Sequence, residues 1–208
     1  MAKGFTETGT FYFYNKKKQS IPIVFIHGVG LTYEIWQPQL DYFNEYSTLS
    51  YDILGHGKSK LEKEIITFDD FSNQLITLID ELKIDKIHLV GFSIGSLIAR
   101  DFASKHNERL QSLILLGSIF KRTDEQQKIV NERYNQAKKQ MKLSKQALKR
   151  WFTDEYLKKN PNTYEKISTI LSANNMENFL KVYELFVFHK NNENFDKIKV
   201  NTLVMTGE

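Results

Sequence analysis

The segment Gly91-Phe92-Ser93-Ile94-Gly95 constrains this chain more than any other. It follows an apolar run, Lys86-Ile87-His88-Leu89-Val90, and opens a stretch from Ser93 to about Ser104 that reads as a helix. A buried strand must therefore become a helix within a few residues. Glycines two residues either side of Ser93 suit a turn so tight that a side chain there would meet neighbouring backbone. The helix that leaves the turn aims its N-terminal N–H groups, and the positive end of its dipole, at Ser93. The five-residue pattern alone is common; the strand before it and the helix after it give it weight.

The rest of the chain supplies the matching elements. Phe11-Tyr12-Phe13-Tyr14 and Ile21-Pro22-Ile23-Val24-Phe25-Ile26 read as strands, with the polar stretch Asn15 to Ser20 as a turn between them. A helical pattern runs from Tyr33 to about Tyr46, and a strand ends at Tyr51-Asp52. Apolar residues at Phe68, Phe71, Leu75, Leu78, Ile79 and Leu82 mark an amphipathic helix. Leu110 to Leu116 is a strand again. Strands and helices alternating at this spacing predict an α/β fold: a mostly parallel sheet with helices on both faces.

From about Phe120 to Asn194 only helical patterns and polar turns appear, among them Lys138 to Leu143 and Phe179 to Phe186. A strand signal returns at Val200 to Met205. The expected organisation is a core over 1–119, a helical insertion over 120–196 and a return strand of the core over 197–208.

Composition excludes several classes. With 208 residues, 41% of them hydrophobic, the chain can bury a core without staples. It has no cysteine, hence no disulfide framework and no thiolate metal site, and no metal or cofactor is expected. The N-terminus has no apolar signal-like segment and no run approaches the ~20 apolar residues of a membrane span, so a cytoplasmic protein is expected. A net charge of +4 does not by itself point to nucleic acid, and neither nucleic acid nor membrane is expected as a partner. The oligomeric state is left open.

The chemistry rests on Ser93 as a nucleophile. His27-Gly28-Val29-Gly30 follows the first buried strand, and the backbone N–H groups of Val29 and Ile94 form the expected oxyanion-holding pair. His27 is expected to shape its loop rather than to react. Asp52-Ile53-Leu54-Gly55-His56-Gly57-Lys58-Ser59 makes a tight hydrogen-bonded loop, with His56 read as a surface or turn residue rather than a base.

Three motifs together resemble the α/β-hydrolase superfamily: His27-Gly28-x-Gly30 with Trp36, Asp52-x-x-Gly55-His56-Gly57-x-Ser59, and Gly91-Phe92-Ser93-Ile94-Gly95. Their order and spacing are the family's. Arg150-Trp151-Phe152-Thr153 and the stretch around Val182-Tyr183 are similar, more weakly, to 3-oxoadipate enol-lactonases. The resemblance implies that Ser93 is catalytic, that Val29 and Ile94 complete an oxyanion hole, and that His27, Gly28, Gly91 and Gly95 support it. It implies a helical cap, no cofactor, and an ester or lactone as small-molecule substrate.

Departures accompany the match. Leu54 stands where Arg or Pro is common, and Ser96 where glycine is common. Thr202 to Gly207 resembles a strand that the family follows with Gly-x-x-Asp, so the acid is expected two residues beyond Glu208. The last strand, the last helix and the catalytic histidine are expected beyond it too, which makes a truncated fold. The five histidines are His27, His56, His88, His106 and His189. His88 and His106 are expected to be structural, and only His189 is placed to be tried as a base. The alternative reading is therefore an inactive fragment, or a binding protein of the same fold. From Lys121 to Arg150 there are ten Lys or Arg and three Asp or Glu. That excess fits a solvated helix face, or attraction of an anionic substrate.

Overall fold

In the computed structural model, residues 2–18, 20–141, 148, 151–189 and 194–207 are described. Seven strands form one sheet: β1 (Ala2–Phe5), β2 (Phe11–Asn15), β3 (Ile23–Ile26), β4 (Thr48–Tyr51), β5 (Ile87–Phe92), β6 (Leu110–Leu116) and β7 (Thr202–Met205). Their order is β1-β2-β4-β3-β5-β6-β7. β1 and β2 pair antiparallel, as do β2 and β4, and every other pairing is parallel. The predicted mostly parallel α/β sheet is thus present. β1 is an addition that the sequence reading lacked; Ala2-Lys3-Gly4-Phe5 has little strand character and is held by its register against β2, Ala2 opposite Tyr14 and Phe5 opposite Phe11.

Period-two alternation explains why both faces of the sheet are covered. On β3, Val24 and Ile26 enter one core with α2 (Phe68–Glu81) and α3 (Ile94–Lys105), against Phe71, Leu75, Leu78, Ile98 and Phe102. Phe25, between them, faces the other way and packs with Phe11, Phe13, Tyr33, Trp36 and Leu40. The last three come from a 3-10 turn, Tyr33–Trp36, and from α1 (Gln37–Tyr42). The sequence predicted one helix from Tyr33 to about Tyr46. Pro38 near the start of α1 ends the preceding turn, because it has no N–H to continue the ladder.

Among the described residues, the elements between β6 and β7 are all helical: α4 (Asp124–Gln140), α5 (Asp154–Lys159), α6 (Pro161–Ser172) and α7 (Met176–Val187), followed by a 3-10 turn at Asn194–Lys197. Their starts are written locally. Thr123 and Gln126 cap each other's backbone at α4, Thr153 accepts the Tyr156 N–H at α5, and Asn175 accepts the Asn178 N–H at α7. Part of the predicted Lys138–Leu143 pattern, Lys142 and Leu143, lies outside the described residues, as does Arg150. Among the described residues no helix is long and apolar enough to cross a membrane.

The strand order has one consequence for function. The chain leaves β3 toward β4 on one side and returns as β5 on the other. The loops that follow β3 and β5 therefore diverge at a switch in strand order, where sheets of this class leave a crevice. β3 and β5 are in register there, Ile26 beside Gly91.

Candidate functional site

Ser93 stands between the last residue of β5 and the first of α3, with φ 57° and ψ −121°. That is a left-handed φ on a non-glycine residue, a strained conformation that persists only where its surroundings impose it. The surroundings are the two glycines. A Cβ on Gly91 would fall on the Gly95 carbonyl, and one on Gly95 would lie 2.5 Å from the Ile26 carbonyl oxygen and 2.7 Å from that of His27. The Ser93 N–H is tied to the Leu116 carbonyl at 3.0 Å, and its own carbonyl accepts both the N–H (2.9 Å) and the hydroxyl (2.6 Å) of Ser96. Ser96 thus adds a side-chain bond to the turn where a glycine would leave none.

The loop after β3 comes up against this turn. A Cβ on Gly28 would lie 3.3 Å from the Ser93 Cβ and 3.2 Å from the Phe92 ring. The Gly28 carbonyl accepts the Leu31 N–H at 3.2 Å and the His27 Nδ1–H at 2.8 Å. In a trans peptide the N–H points away from its carbonyl, so Val29 presents its N–H on the opposite side from those two donors. Ile94 is the first residue of α3 and has no carbonyl four residues back within the helix to bond.

His27 and His56 brace this loop. His27 Nε2 accepts the Ile53 N–H at 3.1 Å, and His56 Nε2 accepts the Gly30 N–H at 2.8 Å. Each ring therefore carries its proton on Nδ1, His27 donating to Gly28 and His56 to the Leu54 carbonyl at 3.3 Å. Burial lowers the His27 pKa to about 3, with the nearby His56 adding to it and the Gly28 carbonyl opposing; burial likewise lowers His56 to about 4. Both are neutral acceptors at pH 7. His56, expected at the surface or in a turn, lies in its turn but fully buried.

Asp52 holds the second loop. Its carboxylate accepts the Tyr33 N–H at 2.8 Å and the Lys58 N–H at 2.9 Å, and a Cβ on Gly57 would overlap it. Burial raises its pKa to about 6, outweighing those two donors. Ser59 accepts the Phe11 N–H at 2.9 Å and so anchors the loop to β2.

The other histidines are engaged elsewhere. His88 pairs with the Ser112 hydroxyl at 2.7 Å, and His106 packs on Phe102. His189 accepts from the Arg100 guanidinium at 3.1 Å and lies edge-on to Phe68. Burial, then Arg100 and Arg122, lower its pKa to about 4. None of the five makes a hydrogen bond to the Ser93 hydroxyl among the described residues. No cluster of His, Asp and Glu suited to a metal occurs among them either.

The inserted helices contribute residues that sequence reasoning did not single out. Asn174, in the corner between α6 and α7, donates to the Gly30 carbonyl at 2.8 Å. Leu31 is buried among Leu148, Ile167, Ile170 and Leu171. Phe179 lies against His56, with ring centres 6.4 Å apart. Phe179 is buried, whereas Trp151 is 44% exposed. Nothing local marks the contact between Asn174 and Gly30, since the two lie 144 residues apart.

The profile of the alpha/beta hydrolase fold matches residues 21–148, more than half of the chain. The (E)-2-((N-methylformamido)methylene)succinate hydrolase of Acinetobacter baylyi is 29% identical over 174 residues, covering 83% of this chain and 65% of that protein. The 3-oxoadipate enol-lactonase 2 of the same organism is 25% identical over 186 residues, covering 89% of this chain and 70% of that protein. The chain thus spans about two thirds of the length of these curated relatives. Among solved structures, the enol-lactonase from Burkholderia xenovorans LB400 superposes with a TM-score of 0.86 at 23% identity, over 99% of this chain and 81% of that one. The strained serine turn, the sheet order and the profile match agree, and the chain belongs to the α/β-hydrolase-fold family.

Proposed function

We propose that this protein is a hydrolase of carboxylic esters or lactones that works through an acyl-enzyme on Ser93. The observation that carries the reading is the strained Ser93 backbone at the start of α3, with the Gly28 loop packed against its Cβ. In this reading the Ser93 hydroxyl attacks the carbonyl carbon and loses its proton to a base. The N–H groups of Val29 and Ile94 take the charge that develops on the carbonyl oxygen, and their fixed orientation requires no rearrangement as it forms. The leaving alcohol, or the opened end of a lactone, takes up a proton, and water then releases the acid from Ser93. α4 to α7 serve as a cap over the site.

Two observations favour an anionic substrate. The names of two relatives contain succinate and 3-oxoadipate, both dicarboxylates. The segment from Lys121 to Arg150 carries an excess of basic residues, which draws anions toward the insertion.

A second reading has one observation in its favour: all five histidines are engaged away from Ser93. On that reading the 208-residue chain binds such a molecule without turning it over. Incubation with p-nitrophenyl acetate followed by mass spectrometry separates the two. The hydrolase reading expects an acetyl group on the peptide bearing Ser93, absent in Ser93→Ala. Equal acetylation of both proteins rejects it, as does a parent that shows neither acetylation nor Ser93-dependent release of p-nitrophenol.

A further inference from the structure

Three consecutive peptide groups of the Gly28 loop are each held by a different side chain. The Gly28 carbonyl is held by His27, the Gly30 N–H by His56, and the Gly30 carbonyl by Asn174. The first two holders belong to the sheet side of the molecule. The third belongs to the inserted helices, and among the described residues it links them to this loop through a hydrogen bond.

Asn174 is built for the contact. One Nδ2 hydrogen donates to Gly30 at 2.8 Å, and the other is shared between the carbonyls of Ile170 at 3.1 Å and Leu171 at 3.2 Å. All three partners are acceptors only, which identifies the nitrogen side of the amide. The same atom therefore closes the C-terminal end of α6 and reaches the loop. Around it Leu31 is enclosed by Ile167, Ile170 and Leu171, so the loop and the end of α6 form one packed unit. Gly30 has φ 77°, a conformation open to glycine and rarely to others, so packing of its own side chain cannot hold this peptide. Besides the turn bond from the Leu31 N–H to the Gly28 carbonyl, its orientation rests on two side-chain hydrogen bonds, one to each side of the molecule.

We propose that Asn174 is a positioning residue: by holding the Gly30 carbonyl it makes the aim of the Val29 N–H depend on seating of the inserted helices. The inference rests on the reading of Val29 as an oxyanion donor. A cap that is not seated then leaves Ser93 with a loosened oxyanion site, so that the donor is fully aligned only once the pocket is covered.

Asn174→Ala is compared with Lys166→Ala. Lys166 donates to the Glu34 carbonyl at 3.1 Å, so its substitution removes an insertion-to-core contact that does not touch the loop. Amide hydrogen exchange by NMR is the first readout. In Asn174→Ala the Gly30 and Leu31 amides are expected to exchange about tenfold faster, the equivalent of one net hydrogen bond. In Lys166→Ala they stay within about twofold of the parent, because local openings are independent where no contact is shared. The second readout is labelling of Ser93 by an alkyl fluorophosphonate, in which the serine oxygen bonds to phosphorus, fluoride departs and the hydroxyl proton passes to solvent. Asn174→Ala should lower the maximal labelling rate about fivefold with the half-saturating concentration unchanged, because a misaimed donor costs transition-state rather than ground-state binding. Unchanged exchange at Gly30 and Leu31, with Ser93 still labelled at the parental rate, overturns the proposal. Faster exchange spread evenly over α6 and α7 also overturns it, since that marks a merely structural role. If Ser93 in the parent is not labelled at all, the serine reading of the site fails and the role for Asn174 in catalysis goes with it.

Discussion

His56 accepts the Gly30 N–H at 2.8 Å across 26 residues of chain, and His27 returns the bond by accepting the Ile53 N–H from the loop that bears His56. Each of the two loops thus lends the other a buried imidazole. The exchange fixes their separation without any charge, since both rings are neutral.

Loss of the brace should be costly. His56→Ala leaves the Gly30 N–H buried and unpaired, and is expected to destabilise by about 1–3 kcal/mol. His56→Gln keeps an acceptor at similar reach and should recover most of that. Urea denaturation at pH 7 measures both; equal losses for the two variants would mean that ring packing, not the hydrogen bond, is what matters.

Stability should fall as the solution is acidified below about pH 6.5. His27 and His56 have folded pKa values of about 3 and about 4 against 6.5 unfolded, so the unfolded chain takes up protons first. Each then removes about 1.4 kcal/mol per pH unit between those limits. Asp52 acts in the opposite sense. Its folded pKa is about 6 against 3.8, so the folded state is protonated first and regains stability between those values. His189, lowered to about 4, acts in the same sense as the other two, so three histidines outweigh one aspartate and the net slope is a loss. The urea midpoint should drop between pH 7 and pH 5, and His56→Gln should flatten that drop by about one proton. A midpoint that rises on acidification would contradict this assignment.

The glycines of the serine turn admit no substitution. Gly95→Ala places a methyl 2.5 Å from the Ile26 carbonyl oxygen, and Gly91→Ala meets the Gly95 carbonyl. Each should cost about 3 kcal/mol or more, because backbone on both sides must move. Gly9→Ala is the control: φ is +81° but nothing lies within 4 Å of the added methyl. It should cost only about 1 kcal/mol of backbone strain. Soluble yield and thermal midpoints rank the three.

Turnover by the 208-residue chain should be low. Without a histidine on the Ser93 hydroxyl, the residual catalysis of oxyanion hole and binding is at most about 10³–10⁴ over water. His189→Ala should change p-nitrophenyl ester turnover little, since Arg100 already occupies its Nε2. Rapid turnover lost in both Ser93→Ala and His189→Ala would make His189 the base instead.

The outer edge of the sheet should promote association. In β7, Leu203, Val204 and Met205 are half-exposed or more, and an apolar edge strand is a template for another strand. Light scattering should find the 208-residue chain self-associated, and Val204→Lys should shift it toward monomer. A monodisperse monomeric parent would rule this out.

Much of the architecture was legible in the sequence. Leu110 to Leu116 was legible from its short, mostly apolar run, and α2 from its helical spacing starting at Phe68. The turn at Ser93 was legible because two glycines and a serine sit between a strand and a helix, and backbone crowding leaves few other choices there. These are local properties, encoded within about a dozen residues. β1 was not legible, because its pairing to β2 rather than its own residues makes it a strand. The burial of His56, the neutral tautomers of both imidazoles and the partner of Asn174 were also beyond reach. Each depends on a contact between segments 26 to 144 residues apart. Local chemistry determined that a serine would stand at a strained strand-to-helix turn; only the packing of distant loops and inserted helices decided which groups hold the peptides beside it.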